Sequence, residues 1–338
     1  MQIAQRIGIA AACTLAVLLG TSAAQAQATK LLPSDTELIV TFNIQQMLKS
    51  EVVKANKTLI DIAKAKIEEQ LDDKGITKHL KKADFDLFRD LSSITMAVPG
   101  GRNPEEGFIV MEGNFDAAKI EVAITEAAKD AGDKVKMTKI AGVKAFEVNP
   151  KDEKTMFIGV LDKKTLIACA TKKDFEDAVA RNNGNKATAF KADVIKKLIT
   201  TVNTKQSISM VATSKMLAKL AENAPQANGA QAQQALAFLK TMDGFSAALT
   251  IQKDIDFQLG VNTMDAETAQ KYAGIGNLAI GVAKMKVAEE AKKNPALEPA
   301  VDIVNTIRIT AQASNLVIRG QITFENLEKL LKLIPGNN

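Results

Sequence analysis

A pattern of strands and helices that is written twice constrains the fold of this chain most strongly. The first copy opens with a strand-like run at residues 37–43, followed by a helix that carries Met47. The second copy has a similar run at 206–212, followed by a helix that carries Met216. Ile39 of the first strand precedes Met47 by the same number of residues as Ile208 of the second precedes Met216. This first match predicts an internal repeat.

A hairpin and a helix come next in each copy. The hairpin strands span residues 92–98 and 108–115 in the first copy, and 245–251 and 255–261 in the second. Short polar turns join these strands, which is typical of antiparallel pairing. The helices then open at Asp116 and Asp265, and aspartate is a good N-cap because its carboxylate accepts an unpaired backbone N–H.

A strand and a helix also close each copy. The closing strands lie at residues 165–170 and 316–320, and the helices that follow end near Arg181 and Ile334. We therefore predict an α+β fold of two tandem repeats, each a mainly antiparallel sheet covered by helices. The repeats meet at a polar, glycine-containing stretch, 182–186, so the predicted domains are residues 29–184 and 185–338.

Two further segments have recognisable character. Residues 49–71 carry apolar side chains at three- and four-residue spacing, which predicts one long helix that packs by a single face. Residues 223–234 are rich in Ala, Gln and Asn, which predicts a flexible excursion inside the second repeat.

Residues 1–28 resemble a secretory signal peptide. Arg6 is the only charge before an apolar run of about 14 residues, which is shorter than the roughly 20 that span a bilayer. Small residues follow in an A-x-A pattern that fits cleavage after Ala26 or Ala28. We expect an exported protein, periplasmic or secreted, with no stable membrane insertion after cleavage; an uncleaved anchor is the alternative.

Composition argues against several classes of partner. The net charge is +5, one unit less without Arg6, and most of the positive charge is lysine scattered among acidic residues. There is no Trp and a single tyrosine, Tyr272. Nucleic-acid sites favour clustered arginine with interleaved aromatic rings, and sugar sites stack on Trp or Tyr, so we expect neither.

The residue types that catalyse reactions are scarce. His79 is the only histidine, and its setting among lysines predicts a solvated surface residue and not a general base. Cys169 would be the only cysteine after signal removal, so no internal disulfide is expected. Its place in the middle of a strand predicts burial, and one His with one Cys argues against a transition-metal site.

Four weaker motifs have structural explanations. Asp84, Asp86 and Asp90, like Asp254 and Asp256, offer oxygens for calcium without the EF-hand pattern, and we interpret them as turn or helix-edge charges. Glycines 274, 276 and 281 do not have phosphate-loop spacing and fit helix packing or a helix break. Ser207, or Ser214 beside Lys215, has no accompanying catalytic motif.

The chain resembles a group of exported bacterial proteins to which no activity is assigned. The resemblance rests on residues 31–43, on 107–118 with its G-N-F-D-A run, and on 166–179. It implies a signal peptide and two related α+β halves, and no activity.

These observations lead to one expectation and two alternatives about function. We expect a non-enzymatic binding or structural protein without cofactors, metal or catalytic residues, whose partner is a protein or a small apolar ligand. The first alternative is a carrier of an apolar or lipid-like ligand held between helix and sheet layers. The second is a serine-type hydrolase.

Overall fold

The computed structural model describes residues 24–72, 77–114, 116–131, 135–148, 155–187, 189–202, 206–222 and 237–331. Nearly all of the expected signal peptide, and the excursion expected at 223–234, lie outside these residues. The chain divides into two compact units, Met1–Ala192 and Asp193–Asn338.

The first unit contains a seven-stranded portion of sheet with helices packed against it. Its strands are β1 (Thr36–Phe42), β2 (Leu91–Pro99), β3 (Phe108–Gly113), β4 (Val135–Ile140), β5 (Val143–Val148), β6 (Met156–Asp162) and β7 (Thr165–Cys169). Its helices are α1 (Ala24–Leu31), α2 (Ile44–Lys49), α3 (Glu51–Ala55), α4 (Lys57–Asp72), α5 (Thr77–Lys82), α6 (Leu87–Asp90), α7 (Ala117–Ala131) and α8 (Lys172–Asn182). The strand order is β1-β2-β3-β7-β6-β5-β4.

The second unit has a shorter version of this order. Its strands are β8 (Ile208–Thr213), β9 (Met242–Ile251), β10 (Ile255–Thr263), β11 (Arg308–Gln312) and β12 (Asn315–Ile322). Its helices are α9 (Asp193–Thr201), α10 (Ser214–Glu222), α11 (Ala266–Lys293), α12 (Glu298–Thr306) and α13 (Phe324–Leu331). The order β8-β9-β10-β12-β11 matches β1-β2-β3-β7-β6 of the first unit, strand for strand along the chain.

Antiparallel pairing holds each sheet portion together. Adjacent strands within both units pair antiparallel wherever a register is defined, from Phe42 opposite Ile94 in β1–β2 to Leu259 opposite Ile318 in β10–β12. The expected α+β class with mainly antiparallel sheet is therefore confirmed.

Both predicted N-caps are present. The Asp116 carboxylate accepts hydrogen bonds from the backbone N–H groups of Ala118 and Lys119, at 3.0 and 3.2 Å. That of Asp265 accepts one from Thr268 at 2.6 Å. Because these contacts are local, sequence alone located the starts of α7 and α11.

The single helix predicted over residues 49–71 is wrong, because two polar residues interrupt it. Ser50 leaves the helical conformation and its hydroxyl accepts from the N–H of Val53, which starts α3 anew. Asn56 ends α3 and donates from its amide to the carbonyl of Val52 at 2.8 Å. Side chains of this type compete with the helix for backbone groups, and here they win.

Among the described residues, no helix combines the length and the apolar character that crossing a bilayer requires.

Candidate interaction surface

Helix α11 is the longest described helix, and two opposite faces of it are apolar. Ala269 and Ala273 are buried, and Ile280 packs with Ala273 against a core that includes Ile309 of β11 and Leu316 of β12. This inner face attaches the helix to its own sheet. A helix of 28 residues at 1.5 Å per residue is about 42 Å long.

The outer face of α11 carries four large apolar side chains that are exposed, which we name the outer stripe. Ile275, Leu278, Val282 and Met285 expose 53%, 75%, 46% and 68% of their surface. At 3.6 residues per turn they fall within an arc of about 80°, opposite the inner face. A helix that is apolar on both sides normally has partners on both sides, and its own unit leaves this side open.

Two glycines that border the outer stripe have open space where a side chain would be. A Cβ atom built at Gly274 or Gly281 would meet no atom within 4 Å. Gly276, by contrast, faces inward, where a Cβ would lie 2.8 Å from Ile309 Cδ1. The helix-packing explanation for the glycines is therefore confirmed at Gly276 only, and the other two flatten the rim of the stripe.

Charges of both signs continue the stripe beyond its apolar part. Lys271 and then Glu267 extend it toward the helix N-terminus, and Glu289 and then Lys293 extend it toward the C-terminus. Lys293 Nζ lies 2.9 Å from Glu290 Oε1 and 3.8 Å from Glu289 Oε1. These side chains are more than half exposed, so the contacts are weak and easily exchanged.

The outer stripe was missed by sequence reasoning, which treated this region only as a glycine motif. The signal is nevertheless visible, since the four residues are spaced by three, four and three positions, as in a coiled-coil seam. What sequence cannot reveal is which of two apolar faces the sheet covers.

His79 is buried, and the prediction of a solvated surface histidine is wrong. Only 6% of the residue is exposed, because α5 packs against α7. Its Nε2 lies 3.4 Å from Oδ2 of Asp130, which also accepts from Lys78 Nζ at 2.6 Å. Its Nδ1 is buried and has no hydrogen-bond partner among the described residues.

Cys169 is a free thiol and is buried, as predicted, although it is the last residue of β7 and not in the middle of the strand. Burial, with the nearby charge of Asp174, raises the pKa of the thiol to about 12. Asp174 is held by a two-pronged contact with Arg102 and by the Thr171 hydroxyl at 2.7 Å. A thiol held protonated in this way is a poor nucleophile.

Glu112, which sequence reasoning did not single out, is a buried carboxyl group in the middle of the sheet. Ser93 Oγ donates to its Oε2 at 2.9 Å. Burial, with the charge of Asp162 as a smaller cause, raises the pKa of Glu112 to about 7. The Thr165 hydroxyl beside it on β7 is buried and has no hydrogen-bond partner among the described residues.

The acidic motifs support local structure. Asp86 caps α6 by accepting from the N–H groups of Phe88 and Arg89, and Asp90 binds the Arg89 guanidinium. Asp254 accepts from the N–H of Phe324, and Asp256 from the side-chain amide of Gln321. No group of three or more metal-ligating residues occurs in the described part of the chain.

Two clefts flank the loop that carries Asp84. One has a volume of about 270 Å³ between α4, α5 and α6, and the other of about 140 Å³ beside α7. The lining residues include Glu68, Lys81, Asp84, Asp86 and Arg89 in the larger cleft and Asp84, Arg89, Asp90, Asp116 and Lys119 in the smaller. The larger cleft is also lined by Leu80, Phe85, Leu87 and Phe88, so its lining mixes charged and apolar groups, whereas the lining of the smaller cleft is mainly polar.

The two candidate serines are engaged in structural hydrogen bonds. Ser207 is fully buried, and its hydroxyl accepts from the backbone N–H of Ile251 at 2.8 Å. Ser214 Oγ donates to the carbonyl of Asp243 at 3.3 Å.

Comparison with known proteins yields distant likenesses only. No family model and no curated protein matches the chain. Crystal form III of TP0453 aligns over 90% of this chain and 97% of its own, with 12% identity and a TM-score of 0.43. Crystal form IV aligns over 89% and 94%, with 12% identity and a TM-score of 0.44. At this level the likeness carries no argument about function.

Proposed function

We propose that this is an exported, non-enzymatic protein that acts by binding another protein chain through the outer stripe of α11. The observation that carries the proposal is the exposure of Leu278 and its three neighbours on a helix already anchored by its opposite face. Exposed apolar residues arranged in a stripe mark contact sites, whereas single exposed ones need no explanation.

The chemistry around the stripe favours a protein partner over a membrane. Helices that lie on membranes surround their apolar face with lysine and arginine. Lys286 and Lys292 do flank the stripe, but Glu267 and Glu289 lie in line with it at its two ends and interrupt the positive charge. The bare rims at Gly274 and Gly281 also suit the close approach of another helix.

The other residues considered for chemistry support a non-enzymatic role. Cys169 is held protonated, Ser207 and Ser214 bind backbone groups, and the aspartates cap helices or pair with neighbours. The alternative of an apolar-ligand carrier is less well supported, because charged residues such as Glu68, Asp84 and Arg89 line the larger cleft together with its apolar ones.

We also propose that the two units are repeats of one ancestral fold, placed outside the cytoplasm by the signal-like residues 1–28. The shared strand order and the aspartate N-caps of α7 and α11 support the duplication. Residues 31–43, which resemble exported bacterial proteins, agree with export.

Photo-crosslinking in an exporting cell tests the binding surface. A photoreactive side chain replaces Leu278 in one variant and Lys173, an exposed residue of α8, in the control. We expect a discrete protein adduct after irradiation from position 278 and none from 173. Absence of an adduct at 278 from folded, exported protein contradicts the proposal.

A further inference from the structure

We propose that the outer stripe of α11 binds the same stripe of a second copy of this chain, with the two helices antiparallel. This inference rests on the proposed function, because it names the partner of that surface. It follows from the order of residue types along the stripe.

The stripe has the same spacing in both directions from the midpoint between Leu278 and Val282. Counting back from Leu278 in steps of three, four and four residues gives Ile275, Lys271 and Glu267. Counting forward from Val282 in the same steps gives Met285, Glu289 and Lys293. The inner positions are apolar in both directions. The outer positions carry opposite charges.

A two-fold axis through this midpoint brings unlike charges together. It places Lys271 opposite Glu289 of the second copy, and Glu267 opposite Lys293 of the second copy. Because the operation is symmetric, each of these contacts forms twice. A parallel arrangement would instead set Lys271 against Lys271 and Glu289 against Glu289, and like charges facing each other are unfavourable.

The apolar part of the stripe matches itself under the same operation. Leu278 meets Val282, and Ile275 meets Met285, so each contact joins side chains of different shape, which interdigitate. The bare rims at Gly274 and Gly281 leave room for the facing backbone. The repeating three- and four-residue steps are those of helices that pack knobs into holes.

The length of the apolar stripe limits the affinity that we expect for the dimer. From Ile275 to Met285 it runs about 15 Å along the helix, which is short for a permanent dimer. Interfaces that bury less than about 1,200 Å² are typically weak and transient. The self-association is therefore expected to depend on concentration in the micromolar range, about 10⁻⁶ to 10⁻⁴ M.

Sedimentation velocity of the protein purified from the exporting host tests this arrangement, over about a hundredfold range of concentration around that affinity. We expect a reversible monomer–dimer equilibrium. Leu278→Glu should raise the dissociation constant by about tenfold or more, and Lys271→Glu by about fivefold. The double variant Lys271→Glu/Glu289→Lys should return to within about twofold of the parent, because the charge pair is only exchanged.

Lys173→Glu on α8 is the matched control, because it makes the same change of charge away from the stripe. A monomer at every concentration overturns the proposal, and so does a dimer weakened equally by Lys173→Glu and Leu278→Glu. Failure of the double variant to recover overturns the antiparallel register.

The two proposals fail in different ways. A monomeric protein that still forms a Leu278 adduct with a different protein overturns the second copy and leaves the binding surface standing. A monomeric protein without adducts overturns both. Flotation with vesicles of phosphatidylcholine and phosphatidylglycerol, lost in Leu278→Glu, also overturns both, since the stripe would then bind lipid.

Discussion

Helices α7 and α11 follow the hairpin in their respective units, yet they present different outer surfaces. In the first unit, α5 packs against α7, and Lys82 and Lys78 reach Glu126 and Asp130 of α7 at 2.8 and 2.6 Å. In the second unit, α11 leaves Leu278 and its neighbours exposed. Both helices thus pack on their own sheet by the inner face, but their outer faces differ: that of α7 is contacted by α5, and that of α11 is exposed.

The two units also differ at one matching position in the second strand of the hairpin. Glu112 of β3 is paired with Thr165 of β7, and in the second unit Asn262 of β10 is paired with Asn315 of β12. The asparagine pair is joined by a side-chain hydrogen bond of 2.8 Å. An ionisable group therefore occupies the position in one unit where the other has a neutral one.

The largest effect is expected from the two faces of α11. Ala273→Glu buries a charge in the core beside Ile309 and should lower the free energy of unfolding by about 4 kcal/mol. Leu278→Glu, on the exposed face, should change it by less than about 0.5 kcal/mol. Urea unfolding followed by circular dichroism, at concentrations where the chain is monomeric, measures both. Equal losses would show that the outer stripe is covered within its own unit.

Glu112→Gln should reveal the difference between the two hairpins. Since the folded pKa of about 7 exceeds the unfolded value near 4.5, the unfolded state loses its proton first, and the parent loses stability as pH rises from 4.5 to 7. The full loss is about 3 kcal/mol above pH 7. The variant should be more stable by about that amount at pH 8 and nearly equal to the parent at pH 4.

Asn262→Asp is the reciprocal change, and it should introduce a similar pH dependence into the second unit. Urea unfolding across pH 4–8 compares all three proteins. A parent whose stability is independent of pH in this window would contradict the account of Glu112.

Substitutions at the glycines of α11 should show the same difference between its two faces, with smaller changes in stability. Gly276→Val should destabilise by about 2 kcal/mol, because the space is taken by Ile309. Gly281→Ala should stabilise by about 1 kcal/mol, because alanine favours helix and meets no neighbour. Thermal unfolding at low protein concentration separates the two, and a shift of the same sign for both would contradict the assignment of faces.

The smallest effect concerns the ion pair between α5 and α7. Lys82 and Glu126 are solvated, although their contact raises the pKa of the lysine and lowers that of the glutamate. A double-mutant cycle with Lys82→Ala and Glu126→Ala should show coupling within experimental error, since solvent screens such pairs. Strong coupling would mean that charge, and not the packing of His79, holds α5 on α7.

Much of the fold follows from local sequence. The hairpin strands, the aspartate caps and the closing strands are determined by residues close together in the chain, and these predictions agree with the structure. The helix breaks at Ser50 and Asn56 were missed. Ser and Asn occur both inside helices and at their ends, and the sequence alone does not show whether their side chains will hydrogen-bond to the backbone and end the helix.

The site was less accessible to prediction, because it depends on contacts between distant residues. The burial of His79 requires α7, which lies some forty to fifty positions later in the chain. The ionisation of Glu112 requires two neighbouring strands. Likewise, the spacing of Ile275 and Leu278 is plain in the sequence, while its exposure depends on how α11 meets β11 and β12.

Helix α1 contains both expected cleavage sites, and this bears on the order of cleavage and folding in the export that we propose. Ala28 is fully buried, and Arg181 Nη1 donates to the carbonyl of Leu31 at 3.1 Å, so the expected cleavage region is drawn into the finished fold. A peptidase needs extended, accessible backbone, and here folding would remove it. If the proposed signal peptide is removed, cleavage therefore has to precede folding, and of the two expected sites only the one after Ala26 keeps Ala28 in the core.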